Sequence, residues 1–283
     1  MLDINFIPLQ QDNVKVFYTQ GTTAWQTWQK PRGCNYIWIM CIGGGAGGNG
    51  GFGNSPTVQG GPSGASSAIT RALFPANVLP DTLYIQVGTG SIGGAGSAAI
   101  VTTQGGTGQL SYVSISPSTA ALNTVCISGT AGPQAQTAGS AATTTVAGLL
   151  SLGNFTTTTG VAGTNNTRLD VTPLVASVLS AGGEGSQAGG AFPTGFGISS
   201  TNFSPAIPGG TSISLNGRTG YFSLKPFVST GGSGGNGTSD ATTAGAGGNG
   251  AFGSGGGGGG SSSSGSGGPG GRGGDGLVII ATF

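Results

Sequence analysis

Residues 35–51 read NYIWIMCIGGGAGGNGG, and this stretch decides the fold. From Asn35 to Ile42 it is the most hydrophobic run in the chain, short and rich in β-branched and aromatic side chains. A run of that kind, stopped by glycine, reads as a buried central strand. The glycines beyond Ile42 suit neither regular element. Glycine offers a sheet no side chain to pack, and in a helix interior each one costs about 1 kcal/mol relative to alanine. The strand must therefore hand over to a third kind of backbone.

Outward from this strand, short β-like runs alternate with turn clusters. Candidates are 14–19, 23–29, 67–72, 82–87, 98–103, 110–115 and 124–128, with Lys30-Pro31-Arg32-Gly33 as a turn. The chain closes on Leu277-Val-Ile-Ile-Ala-Thr-Phe283, a second apolar run that is best buried beside 35–42. The spacing predicts a mainly β protein, an antiparallel β-sandwich or jelly-roll-like domain. Residues 1–130 with 277–283 are the expected sandwich core, and 131–230 a Thr/Ala/Gly-rich insertion. Thr172, Pro173 and the glycines after Ser180 mark a short helix near 173–180. Residues 231–276 form a glycine-rich segment expected to pack with 43–64.

The chain has 63 glycines and 14 prolines among 283 residues. Such content is ordinarily a mark of disorder. Disorder also needs low hydrophobicity and high net charge. Here 35% of residues are hydrophobic, net charge is +1 and mean hydropathy is +0.13. The glycines are accordingly read as ordered. No strict Gly-X-Y period runs through them, which excludes collagen. Extended threefold helices packed side by side can exchange N–H···O=C bonds, and only glycine lets backbones approach that closely. Packed helices of this polyglycine II type are therefore expected, with Phe52, Phe252 and Asn236 where the bundle meets solvent or the sandwich.

Composition also excludes functions. Charged residues are 5% of the chain and histidine is absent, so no His triad or His metal site can form. A nucleic-acid partner would need a basic stripe that this chain lacks. No apolar stretch reaches about 18 residues, so membrane insertion is not expected. Met1–Pro8 lacks a basic n-region and a cleavage site, which points to assembly in a cytoplasm without a signal peptide. Cys34 and Cys41 lie seven apart in what reads as one extended run, too far apart to bridge, and the three cysteines read as reduced thiols.

Motifs with chemical meaning fail in their context. Gly45-Ala-Gly47-Gly-Asn-Gly50 has the letters of a dinucleotide loop, but no helix signal follows it and no acid lies about 20 residues on, the next being Asp81. Gly270 to Val278 fits one calcium nonapeptide with Asp275 as ligand, yet a single copy cannot complete the oxygen shell. Asp275 reads instead as the end of the glycine run. Asn154, Asn165, Asn202 and Asn236 open glycosylation sequons that arise from composition. No SxxK occurs, no histidine could activate a serine, and Asp170 and Glu184 are the only acids between Asp81 and Asp240. No enzyme and no cofactor are expected.

The signature Trp25-x-x-Trp28-x-x-Pro31-x-Gly33 leads to a strand that ends in Ile42-Gly43-Gly44-Gly45-Ala46-Gly47-Gly48. With Tyr84-Ile-Gln-Val87-Gly88-Thr-Gly90 and Gly271-Arg-Gly273-Gly274-Asp-Gly276-Leu277-Val278-Ile279-Ile280, it resembles the glycine-rich domains of bacteriophage tail-fibre and adhesin proteins. The resemblance implies a β-sandwich carrying packed polyglycine helices, at a fibre tip that binds the host surface. The expected function is a non-enzymatic structural virion protein, a tail-fibre or spike adhesin. Alternatives are a capsid decoration or minor structural protein without receptor binding and, more remotely, a Thr-rich ice-binding module. Expected partners are other virion proteins, further copies of the chain (a trimer among the options) and a host glycan or outer-membrane protein. Receptor-binding candidates are Phe192, Phe196, Asn202 and Phe203, in the uncharged stretch 187–208. Phe155, Trp25, Trp28 and Trp38 read mainly as core or loop anchors.

Overall fold

The computed structural model describes residues 13–21, 23–54, 60–128, 148–163, 179–186, 207, 209–211, 215–224 and 227–283. Strands β1 (Val14–Phe17), β3 (Tyr36–Ile42), β4 (Ile69–Pro75), β8 (Asn154–Thr158) and β11 (Leu277–Thr282) form one antiparallel sheet in the order β1-β11-β3-β4-β8. Strands β2 (Gln26–Gln29), β5 (Thr82–Gln86), β6 (Tyr112–Ser114) and β7 (Thr124–Ile127) form a second, in that order. β9 (Phe222–Leu224) and β10 (Phe227–Ser229) pair by themselves.

The final strand lies where its composition requires. β11 is hydrogen-bonded on both sides, with Ile279 opposite Met40 of β3 and Val16 of β1. Alternation along β3 sends Ile37, Ile39 and Cys41 into the core between the sheets, with Phe74, Leu83, Ile85, Val113 and Ile280. Trp38, Met40 and Ile42 face the other way and pack with Leu179, Phe227, Leu277 and Ile279. Both faces of β3 are thus covered, which explains an unbroken apolar run in place of alternation. Trp28 and Trp38 are buried, and Phe155 packs against the inter-sheet core.

The glycine segments are the connections of this sandwich, drawn out and bundled at one end of it. β3 runs on into 43–54, and 60–68 returns to β4; β5 continues into 88–98, and 103–109 returns to β6. At the junction the Ser111 hydroxyl donates to Ile42 O at 2.6 Å and accepts from Gly88 N–H at 3.0 Å. The expected strand at 98–103 does not form. Its residues round the far end of this second connection, and their apolar Ile100 and Val101 are exposed. For 173–178 the expected helix lies outside the described residues. Leu179 forms a parallel bridge with Ser229, and Ser180 starts an extended segment. The 131–230 region also supplies β8, β9 and β10.

At the centre of the bundle lies Gly255-Gly-Gly-Gly-Gly-Gly260. Gly255, Gly258 and Ser261 donate to Ser180, Gly183 and Ser186; Gly256, Gly259 and Ser262 donate to Ala46, Asn49 and Phe52; Gly257 and Gly260 donate to Gly248 and Gly245. Its carbonyls accept likewise: Gly255 and Gly258 from Gly232 and Gly235, Gly256 and Gly259 from Gly64 and Gly61, Gly257 and Gly260 from Gly271 and Gly268. Residues three apart therefore face the same neighbour, the period of an extended threefold helix. Donors and acceptors together engage six surrounding segments in a hexagonal array. A Cβ built on any residue from Gly255 to Gly260 would lie under 3.0 Å from a neighbouring carbonyl. No other residue fits there. The bonds satisfy backbone groups that burial would otherwise leave unpaired.

At the bundle's margin, every third residue can differ. In 267–275 the repeat is Gly-Gly-Pro269, Gly-Gly-Arg272, Gly-Gly-Asp275, with Pro269 and Arg272 exposed. In 44–52 the third residues Ala46 and Asn49 are buried where neighbours stand off and Phe52 is half-buried: Ala46 packs on Ala65, and Asn49 Oδ1 accepts Gly105 N–H at 3.1 Å. Phe252 closes the sandwich end, against Phe222 and the second face of the large sheet. Asn236 departs from its expected place at the margin. It is 2% exposed, and its side-chain oxygen accepts from the Ser186 hydroxyl at 3.0 Å.

Candidate functional site

The end of the bundle farthest from the sandwich, its apex, is made of turns. Asn54 N–H donates to Gly265 O at 3.1 Å and its side-chain amide to Ala98 O at 2.7 Å, while Gly53 N–H reaches Ala99 O at 3.0 Å. Ser262 Oγ donates to Asp240 O, and Ser263 Oγ to Ser239 O at 2.7 Å. Short Ser, Asn and Thr side chains return to nearby backbone and hold tight turns in this way. Asn54 adopts φ 50°, a left-handed conformation that asparagine tolerates. The turns of separate connections are thereby tied into one rim. Its surface is polar apart from Ile100 and Val101, which are 61% and 52% exposed.

Charge at this rim is confined to Asp240 among the described residues. The Thr242 hydroxyl and backbone N–H both donate to its carboxylate and hold its pKa below the usual value.

Phe192, Phe196, Asn202 and Phe203 lie outside the described residues. The residue before their stretch is placed: Ser186 ends an extended segment at the apex. Its N–H donates to Gly235 O at 2.9 Å, and Gly237 N–H donates to its hydroxyl. Asp170 lies outside the described residues, and Glu184 is buried within the bundle.

Residues 45–50 are extended lattice backbone that bonds in turn to Gly274, Ala65, Gly106, Gly271, Pro62 and Thr103. Their N–H groups are consumed there, so they form no phosphate cradle. Asp275 Oδ1 accepts from Gly90 N–H at 2.9 Å and from Arg272 at 2.6 Å. Among the described residues no three His, Cys, Asp or Glu side chains gather as a metal-ligand set, and no helix is long and apolar enough to cross a membrane.

These features define a class: a β-sandwich whose elongated connections form a hydrogen-bonded glycine bundle with a turn-built apex. The model of a glycine-rich domain family matches residues 19–282, and the chain belongs to that family. No curated protein matches the chain. The family signal spans both the sandwich and the bundle, consistent with their forming one unit.

Proposed function

We propose that this chain is a non-enzymatic structural protein of a bacteriophage virion, a tail-fibre or spike component that recognises the host surface through connections at the apex. The observation that carries this reading is the Gly255–Gly260 segment bonded to neighbours on every side. Such a lattice is stiff and cannot vary in sequence, whereas the turns at its end can, so variation and recognition fall on the apex. The near absence of charge favours neutral surface groups over phosphate-rich polymers, since few ions would be released on contact. Ser186, near that end, directly precedes in sequence the uncharged stretch 187–208 with Phe192, Phe196 and Phe203.

The test is adsorption of purified protein to host cells from low to high salt, with and without Phe192→Ala, Phe196→Ala and Phe203→Ala combined. Salt-tolerant binding that the triple variant loses supports the reading. Steep salt dependence, or full binding by the variant, removes this stretch as the receptor site. Failure to bind any host favours a capsid decoration without receptor function.

A further inference from the structure

At the opposite end of the bundle, beside the sandwich, Phe222 and Phe252 wall one side of a cleft of about 300 Å³. Thr219, Asn249, Arg272 and Asp275 line the remainder. The aromatic wall is set by contacts: Phe222 and Phe252 meet edge to face with centroids 4.7 Å apart, Phe227 braces Phe222 at 5.8 Å, and Tyr18 braces Phe252 at 5.5 Å. The polar side is fixed as firmly. Asn249 Oδ1 accepts Arg272 N–H at 2.9 Å, and Asp275 Oδ1 accepts from Gly90 N–H and from Arg272 Nη2.

Each of these groups keeps hydrogen-bonding capacity for a ligand. The bonds to Asn249 and Asp275 use one oxygen of each. Among the described residues the Asn249 NH2, the second Asp275 oxygen and the Thr219 hydroxyl take no partner. Arg272 is 47% and Asp275 24% exposed, and as a pair they cancel in charge. An apolar wall facing planar donors and acceptors, rigid and neutral overall, matches one kind of molecule. A pyranose ring offers a C–H face to aromatic carbon and adjacent hydroxyls that pair with carboxylate, amide and guanidinium. The volume, at the small end of ligand pockets, holds one or two such rings.

We infer that this cleft is a binding site for a neutral hexopyranose, free or at the end of a surface polysaccharide. It stands apart from the apex reading, at the other end of the bundle and on other residues.

The test uses the full chain and saturation-transfer NMR with a panel of neutral sugars: glucose, galactose, mannose, N-acetylglucosamine and their common disaccharides, at millimolar concentration. Transfer to at least one sugar is expected. Thr219→Val, on an exposed hydroxyl, and Asp275→Asn, which keeps an acceptor for Gly90 N–H, should each weaken it roughly tenfold. Circular dichroism and the thermal midpoint establish that both variants fold. A folded wild type that gives no transfer to any sugar in the panel overturns the proposal. So does binding that both folded variants retain in full. Binding of the protein to cells through the apex would be lost in the Phe192/Phe196/Phe203 triple variant and kept in Thr219→Val, so the two sites are separable.

Discussion

The α-carbon of Gly258 faces the carbonyl oxygen of Gly61 so closely that a methyl group in place of its hydrogen would lie under 3.0 Å from that oxygen. The partner is backbone, held by its own bonds to Gly259 and Gly185. It cannot rotate away as a side chain could. Gly258→Ala should therefore destabilise by about 3 kcal/mol or more, beyond ordinary overpacking. Gly106→Ala is the matched control, because its Cβ would meet only the Ser91 side chain. It should stay within about 1 kcal/mol of wild type in thermal or urea unfolding.

Removal of residues 277–283 should yield insoluble protein. β11 pairs with β1 on one side and β3 on the other, and Leu277 to Ala281 are at most 1% exposed. Its loss opens two strand edges and both cores at once. A soluble truncation with native circular dichroism would refute this placement.

Thiol reactivity should split the three cysteines. Cys41 is fully buried, and burial, with Cys126 beside it, pushes its pKa well up. Cys126 is buried in the same core. Cys34 is half-buried near Pro31 O. A maleimide should label Cys34 in the native protein, and Cys41 and Cys126 only after unfolding. Fast native labelling of Cys41 would mean that the sheets separate.

Stability should vary little between about pH 5 and 8, because no histidine titrates there and the acids are few. Asp240 acts lower. Its folded pKa lies below its unfolded value, so its contribution is complete above the unfolded value and is lost as pH falls through the folded one. An NMR titration of the Thr242 amide should show this transition below the usual carboxylate range, and Asp240→Asn should abolish it.

The sandwich was legible because hydrophobic runs report strands directly. The run 35–42 and the terminal run 277–283 differ from everything around them, and burial forces two such strands together. The mutual bonding of 43–64 with 231–276 came from glycine's size alone. The part played by 88–109 was hidden, since Ile92, Ile100 and Val101 resemble strand residues while facing outward from turns and lattice. Phasing within the lattice was written in the local triplets at 44–52 and 267–275, where the third residue marks the less crowded side. Asn236 broke that expectation because a polar side chain can be buried if it finds a partner such as Ser186. The Phe222–Phe252 cleft gave no sequence signal, as its residues come from three separate segments.

The central claim is that Gly255–Gly260 is the interior of a hydrogen-bonded lattice. Hydrogen exchange read by mass spectrometry on a peptide spanning 253–277 tests it most directly, with one spanning β3 as the internal standard. The glycine peptide should keep its amide protons as long as the β3 peptide does, both opening only with global unfolding. Complete exchange of the glycine peptide within the first seconds, while β3 stays protected, would contradict the lattice.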